Sequence, residues 1–487
     1  MAQHYDQPIL DVAQYAFHYE IDTSDEVVWE RARMALLDSL GCAVETAVTN
    51  AECWKLLNPV VPGMVVPNGV RIPGTPIQLD PVEGAFALGV LIRYLDHNDA
   101  LGGAEWGHPS DNLAAILAVL DWLSRRSASG EYIHTGPALT MRTLLTALVK
   151  AYEIQGCYQM QNAFNAYGID HVVLVKLASA AVVSWLLGLT EAQAMATISH
   201  VWMDGQPSRM YRSRESTLPR KGWAAGDAAR RAVQLALYVQ AGQPGAPRAL
   251  TAKPWGFWER TFEDGFKLPR PFGTWTIQNM LFKTMPVEGH GVSAVEAALL
   301  QRRRLLDQGL DPNNDIHRIN LRTTAAADLI INKTGPLHNA ADRDHCIQYG
   351  VALAFVKGRR PEAADFSDHS PWATCEVLAS LRDKITIIPD PDLTRDYVDL
   401  EKKSIGAGVT VTVRDGSILP EILVEYPVGH VRNPQTKAEV YAKFWKNMTR
   451  MFSEAEIIHI LDLVRDDNLP IRDFVSLLAR PETHTKL

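Results

Sequence analysis

Cysteine is scarce in this sequence, and the few cysteines lie far apart. Among 487 residues there are five, and none forms a CxxC pair: Cys42, Cys53, Cys157, Cys346 and Cys375. An odd, widely spaced set favours reduced thiols in a cytoplasmic protein over a disulfide framework. The same spacing argues against zinc or an iron–sulfur cluster held by cysteine. We therefore expect no metal.

A long uninterrupted hydrophobic run is also missing. The most apolar stretch, residues 172–189, contains Lys176, Ser179 and Ser184. It is therefore typical of a buried helix rather than of a membrane span. The first twenty residues contain three acidic side chains and no apolar core, unlike a signal peptide or a transit peptide. We expect a cytoplasmic protein without a membrane partner.

Positive charge is not in excess. The sequence has 48 basic and 56 acidic residues, for a formal net charge of -8. This balance argues against nucleic acid and acidic membranes as main partners. A local basic cleft can still bind an anionic small molecule. Phosphate-binding loops, dinucleotide fingerprints and the HExxH and GxSxG motifs are absent, so we expect no cofactor.

The remaining composition is that of a globular protein, with 47% hydrophobic and 21% charged residues. The length predicts more than one domain, because single cores rarely grow beyond about 250–300 residues. We predict a mainly α protein with an α+β second domain. Its parts are a helical main domain (1–275), a smaller α/β lid domain (276–433) and C-terminal helices (434–487) that rejoin the helical domain.

Local patterns place several elements. Ser110 is a predicted cap for a helix over 113–123, and three further helix starts follow from capping signals: Thr23 with Glu26, Asp80 with Pro81, and Ser453 with Glu456. In the lid, residues 316–323 read as a strand, and residues 408–413 and 418–426 read as a hairpin around an Asp-Gly turn.

The loop after the helix that begins at Pro81 is rich in titratable side chains. It contains DHND, beginning at Asp96, and EWGHPS, which includes His108. If the flanking helices are antiparallel, Asp96 and His108 lie at one end of the bundle. His108 is then a candidate catalytic imidazole, because imidazole titrates near neutral pH. For Asp99, Ser110 and Asp111 the alternative is helix capping and loop solvation.

Another histidine, His171, directly precedes the most apolar predicted helix. A lone histidine there is usually only partly buried and hydrogen-bonded. A basic segment follows: Arg209, Arg212, Arg214, Arg220 and Lys221. A run of charges is typically a solvated surface. At a helix start, however, guanidinium groups and free N–H groups also suit the binding of carboxylates.

A further cluster lies where the helical part gives way to the α/β part, and it contains Lys283, Glu288 and His290. Domain junctions are common places for a ligand cleft. The tract DRDHC at 342–346 looks metal-binding, but its spacing matches no standard ligand set, and we predict helix capping there. The residues alone indicate acid–base chemistry on an anionic substrate.

These segments resemble the 2-methylcitrate dehydratase (MmgE/PrpD) family, which also includes cis-aconitate decarboxylases. The resemblance runs along nearly the whole chain and includes PGMVVPNGVRIPGTPIQLDP at 62–81, AEWGHPSDN at 104–112, GIDHVVLVK at 168–176, KGWAAGD at 221–227 and ADRDHCIQY at 341–349. It implies a helical domain with an α/β lid, an active site between them, a homodimer, and a small tricarboxylate substrate handled without metal or cofactor.

The family's active-site positions fall on five residues of this sequence: Asp96, His108, His171, Lys221 and Lys283. Further substrate-binding candidates are Arg209, Arg212, Arg220, Glu288, His290 and Tyr349. The implied reaction removes water from 2-methylcitrate or a longer alkylcitrate. The histidines would serve as base and acid, and the cations would hold carboxylates. The alternatives are a cis-aconitate-type decarboxylase and an inactive tricarboxylate-binding homologue.

The sequence departs from the family at three positions. Ala100 and Leu101 stand where Thr and Trp are common, and Gly289 stands where Phe is usual. Smaller side chains would enlarge a pocket, so we predict that these three residues flank the substrate's alkyl branch and admit a chain longer than methyl. The alternative is that neighbouring side chains fill the space and methylcitrate remains the substrate.

Overall fold

The computed structural model describes residues 4–213 and 215–480. The first part of the chain is helical, apart from a short ribbon of β1 (Val70–Arg71) and β2 (Gln78–Leu79). Its helices are α1 (Gln7–His18), α2 (Glu26–Thr49), α3 (Ala51–Trp54), α4 (Pro81–Arg93), α5 (Leu113–Ala128), α6 (Met141–Gln161), α7 (Val172–Leu186), α8 (Glu191–Met203) and α9 (Ala224–Gln240).

Helix α7 explains how this part is assembled. Its sequence is apolar on nearly every face, and such a helix is stable only when neighbours surround it. It contacts α5, α6, α8 and α9, and nearly all of its side chains are buried. The predicted buried helix is therefore confirmed, and it lies at the centre of the helical part.

The second part is built around a four-stranded mixed sheet of order β4-β3-β5-β6. Strand β3 is parallel to β4 and antiparallel to β5, and β5 and β6 form the predicted hairpin, with Gly416 at φ 88° in the turn. The elements are α10 (Val292–Asp307), β3 (Ile316–Thr323), α11 (Ala325–Ile331), α12 (Ala340–Asp344), α13 (Ile347–Lys357), α14 (Ala363–Phe366), α15 (Glu376–Arg382), β4 (Ile385–Pro389), α16 (Pro391–Val398), β5 (Ala407–Val413) and β6 (Ile418–Val424).

The chain ends in three helices, α17 (Thr436–Met448), α18 (Glu454–Leu463) and α19 (Ile471–Leu478). Helix α17 packs against α2, and α19 packs against α5. The buried apolar side chains of the tail join the hydrophobic cluster of the helical part. The lid has a second cluster of its own. We propose domain limits near residues 275 and 433 on this basis.

The loop between α4 and α5 connects the two parts. Ala100 and Trp106 of this loop belong to the lid's hydrophobic cluster, whereas Leu101 belongs to the main one. The backbone of Ala100 also pairs with that of Leu281. The segment between Asp96 and His108 is therefore fixed by contacts with both domains.

The mainly α class with a smaller α/β lid is confirmed. Asp80 caps α4 by accepting from Val82 and Glu83, as its position predicted. The predicted cap at Thr23 is wrong, because Asp25 accepts the hydrogen bond from Val28 that caps α2. Ser110 does not cap α5 either, because a 3-10 turn over Pro109–Asn112 precedes that helix.

Across the described residues, none of the helices combines the length and apolar character needed to cross a membrane.

Candidate active site

Asp96 lies at the centre of a buried charge cluster at the domain junction. It follows α4 and adopts a left-handed backbone conformation with φ 54°, which is uncommon for a residue other than glycine. Its carboxylate accepts from Arg93 at 2.6 Å, Lys221 at 3.1 Å and Lys283 at 2.5 Å. Burial alone would raise the pKa of Asp96, but these three cations hold it well below its ordinary value.

The lid contributes Asp344 and His345 to the same cluster. Lys221 Nζ lies 2.8 and 2.7 Å from the two carboxylate oxygens of Asp344, and His345 Nδ1 lies 2.5 Å from Asp344 Oδ1. Burial raises the pKa of Asp344 and the negative charge of Asp96 adds to that rise, while Lys221 opposes it. Burial lowers the pKa of the His345 imidazole. The capping role predicted for this tract is wrong, because Cys346 stands at the N-cap of α13 and no side chain caps that helix.

Asp96, Asp344 and His345 form a possible metal-ligand set, since one atom from each lies within 4.8 Å of the others. However, Lys221 Nζ contacts all three, at 3.1, 2.7 and 3.4 Å. An ammonium group therefore takes the position that a metal ion would need. The donor set is already neutralised by a side-chain cation and does not fit a divalent metal.

His108 is held in one orientation by both ring nitrogens. Its Nδ1 donates to the carbonyl oxygen of Asp99 at 2.6 Å, and its Nε2 accepts from Arg93 Nη2 at 2.8 Å. Arginine has only donors, so this geometry assigns the proton to Nδ1 and leaves the ring neutral. Burial, followed by the charges of Arg93 and Lys283, lowers the pKa of His108 well below its ordinary value.

His171 is the second buried imidazole, and its ring centre lies 5.5 Å from that of His108. Its Nδ1 lies 3.4 Å from Asp170 Oδ1, while its Nε2 has no hydrogen-bond partner among the described residues. Burial lowers the pKa of His171, and Asp170 only partly offsets this effect. A buried nitrogen without a partner is costly, which points to a ligand atom at that position.

Arg209 and Arg212 act on His171 through Asp170. Arg212 Nε donates to Asp170 Oδ2 at 2.8 Å, and Arg209 Nη1 lies 3.8 Å from the same atom. Arg209 also lies 3.5 Å from the buried carboxylate of Glu105. These two arginines therefore support the histidine side of the cluster. Arg214 lies outside the described residues.

Glu288 and His290 link the lid to the loop that carries His108. His290 Nδ1 lies 3.0 Å from Glu288 Oε1, and its Nε2 lies 3.1 Å from the hydroxyl of Tyr397. The backbone N–H of Gly103 donates to that hydroxyl at 3.1 Å. The His290 ring also packs on Trp106, with ring centres 3.9 Å apart. This chain of contacts positions the loop.

Two further candidates point away from the charge cluster. The guanidinium of Arg220 stacks over Trp223 and pairs with Asp227, and its side chain is 40% exposed. Tyr349 is buried in the lid core, where it packs on Phe366. Neither residue contacts the charge cluster through these interactions, and their roles in substrate binding stay predictions.

The three positions with smaller residues do not open a space beside the cluster. A Cβ atom at Gly289 would lie 2.0 Å from Cζ2 of Trp106, so that tryptophan already fills the site of a larger side chain. Ala100 and Leu101 are buried and adjoin a cavity of only about 10 Å³, next to Tyr397. The predicted enlargement of the pocket at these three positions is wrong, because neighbouring side chains fill the space.

The sequence interpretation missed three members of the cluster: Arg93, Asp344 and His345. Arg93 lies in the last turn of α4, where a basic residue is ordinary because it favours the helix dipole. Its spacing of three residues from Asp96 is the signal that could have shown the contact.

The helical part matches the model of the MmgE/PrpD N-terminal domain over residues 10–269, and the following part matches the C-terminal domain of the same family over residues 285–467. The chain belongs to the MmgE/PrpD family. It is 61% identical to an alkylcitrate dehydratase from a fungal species, across 99% of this chain and 95% of that protein. Identity is 54% to an alkylcitrate dehydratase of Talaromyces stipitatus, with 98% and 97% covered. It is 46% to 2-methylcitrate dehydratase of Escherichia coli, with 97% of each covered.

Proposed function

We propose that this member of the MmgE/PrpD family is a hydro-lyase. It removes water from 2-methylcitrate or a longer 2-alkylcitrate and releases the alkyl cis-aconitate. The observation that carries the proposal is the meeting of Arg93, Lys221 and Lys283 at Asp96, next to the neutral imidazoles of His108 and His171. The relatives named alkylcitrate and 2-methylcitrate dehydratases support the same assignment.

The reaction explains why cations and a neutral base lie together. The proton that leaves is on a carbon beside a carboxylate, so it is only weakly acidic. Its removal places negative charge on that carboxylate, which the buried side chain of Lys221, Lys283 or Arg93 stabilises. These side chains also hold the other carboxylates, because charge-assisted hydrogen bonds are strong in buried surroundings.

His171 is the proton acceptor in this proposal. Its ring is neutral, and its Nε2 has no other hydrogen-bond partner among the described residues. The C–H electron pair forms the double bond as the C–O bond breaks. The departing hydroxide takes up the proton that His171 accepted, so that water leaves and the imidazole returns to its neutral form. His108, whose two ring nitrogens bond to the Asp99 carbonyl and to Arg93, acts by holding Arg93 in position beside Asp96.

Mass spectrometry of the products tests this function. Purified protein is incubated with 2-methylcitrate, with alkylcitrates and with cis-aconitate. We expect loss of water from the citrates and no release of carbon dioxide. Carbon dioxide from cis-aconitate would instead identify a decarboxylase, and no turnover of any compound would identify a tricarboxylate-binding protein without activity.

The homodimer and the cytoplasmic location stay predictions. The homodimer follows from the family resemblance, and sedimentation at the concentration used for assays measures it directly. A monomer under those conditions would contradict it.

A further inference from the structure

A cleft of about 520 Å³ at the domain junction leads from the surface to Lys221 and Asp344. We call it the junction cleft. Its apolar lining includes Leu95, Pro219, Ala340, Ala341, Ala363 and Ala364. Four of these residues are alanine, so short side chains leave the space between the walls open.

The walls of the junction cleft come from the segments that also deliver the charge cluster. Leu95 directly precedes Asp96, and Pro219 lies two residues before Lys221. Ala341 lies on α12, the helix that ends at Asp344. Each segment therefore places a polar group at the inner end of the cleft and an apolar group along its wall.

The charges along the junction cleft indicate which part of a substrate it suits. Lys221 lies at the inner end. Further along the lining, Glu52, Glu362 and Asp368 are each paired with a lysine or arginine, so they add little net charge. A carboxylate is favoured beside Lys221, whereas further out the apolar wall residues decide what binds. The group that extends outward is therefore uncharged.

We propose that the junction cleft binds the alkyl branch of the substrate and that citrates with a chain longer than methyl are preferred. This inference rests on the proposed dehydratase function and adds the substrate class. The carboxylates of the substrate bind among Lys221, Lys283 and Arg93, and the unbranched chain runs along the walls formed by α12 and α14. This location replaces the one predicted at Ala100, Leu101 and Gly289.

A chain-length series tests the proposal. kcat/KM is measured for methyl-, butyl-, hexyl- and octylcitrate. A fully buried methylene contributes about 4-fold, and these walls are partly open to solvent. We therefore expect hexylcitrate to exceed methylcitrate by about 10-fold or more. Equal or better use of methylcitrate would overturn the proposal.

Two substitutions test whether the alkyl chain binds in the junction cleft. Ala340→Phe and Ala363→Phe each add a ring to a half-buried wall position. We expect each to lower the hexyl-to-methyl ratio of kcat/KM by about 10-fold. The matched control is Ala379→Phe on the exposed side of α15 in the same domain, which should keep the ratio. If a phenylalanine variant does not fold, Ala363→Leu, which adds a smaller side chain, is measured in its place.

The outcomes separate the two proposals. The wild-type protein could dehydrate alkylcitrates while the wall variants and the control keep the same hexyl-to-methyl ratio of kcat/KM. In that case the alkyl chain binds elsewhere, and the dehydratase function is unaffected. If the wild-type protein releases water from none of the series, the dehydratase function fails, and the alkyl site fails with it.

Discussion

Arg93 donates from Nη2 to His108 Nε2 over 2.8 Å, while its Nη1 lies 2.6 Å from Asp96 Oδ1. The planar guanidinium thereby fixes the imidazole and the central carboxylate in one arrangement. A lysine at the same position could supply the charge, but a single ammonium does not reproduce this fork. Arg93 therefore acts on geometry as well as on charge.

We expect Arg93→Lys to lower kcat/KM by about 100-fold, which is typical for the loss of a positioned donor. The matched control is Arg230→Lys on α9, where the side chain is 36% exposed and pairs with Asp227 and Glu83. Circular dichroism checks folding. Near-normal kinetics in folded Arg93→Lys protein would remove Arg93 from the mechanism.

We expect His171→Ala to lower turnover by about 10²–10⁴-fold, the usual contribution of a positioned acid or base. His108→Ala should lower turnover by about 100-fold, because it removes the side chain that holds Arg93. The control is His317→Ala on the exposed side of β3, which should leave steady-state kinetics unchanged. Full activity of folded His171→Ala protein would contradict its role as proton acceptor.

The sequence predicted features that depend on neighbouring residues. β3 runs from Ile316 to Thr323 as its pattern indicated, and Ser453 with Glu456 forms the expected capping box. Both follow from local hydrogen bonding and side-chain alternation. The active-site role of Asp96, by contrast, was carried over from the family resemblance.

The contacts that complete the site could not be derived in this way. Lys221 and Asp344 are 123 positions apart, and their contact depends on how the lid packs on the helical domain. Likewise, the DRDHC tract has the residue types of a helix cap, and only the packed structure directs Asp344 toward Lys221. The filling of the space at Gly289 by Trp106 also depends on tertiary packing.

We expect activity without a metal ion, because Lys221 Nζ lies among Asp96, Asp344 and His345, where a metal would otherwise bind. Purified protein should keep its rate after chelation, and elemental analysis should find no stoichiometric iron or zinc. Loss of activity on chelation, with recovery on addition of either metal, would refute this expectation.

We expect Glu105 to make the protein less stable as pH rises. Burial raises the pKa of Glu105 to about 7, although Arg209 opposes the rise. Between pH 4.5 and about 7 the folded state therefore binds more protons than the unfolded state. The free energy of unfolding then falls with rising pH, by about 3 kcal/mol for this one group.

Glu105→Gln lacks this titration. We expect its free energy of unfolding, relative to that of the wild type, to increase by about 3 kcal/mol from pH 4.5 to pH 8. Denaturant unfolding at several pH values measures the difference, with Glu263→Gln at an exposed position as the control. A difference that does not change with pH would show that Glu105 is ionised throughout the range.

Trp106 occupies the space that a side chain at Gly289 would need. A Cβ at Gly289 would lie 2.0 Å from Cζ2 of Trp106, a ring that is itself packed against His290. Trp106 has little room to move, so we expect Gly289→Ala to destabilise the protein by about 1–3 kcal/mol. The matched control is Gly335→Ala, where a Cβ meets nothing within 4 Å.

Because Gly289 lies on the side of Trp106 and not on the junction cleft, Gly289→Ala should leave the ratio of hexylcitrate to methylcitrate kcat/KM unchanged. The double variant Trp106→Leu with Gly289→Ala should lose less stability than the sum of the losses in the two single variants, because the two side chains compete for one space. Thermal unfolding and the chain-length assay together measure both effects. If Gly289→Ala changed the hexyl-to-methyl ratio of kcat/KM without loss of stability, the alkyl branch would bind beside Gly289 and not in the junction cleft.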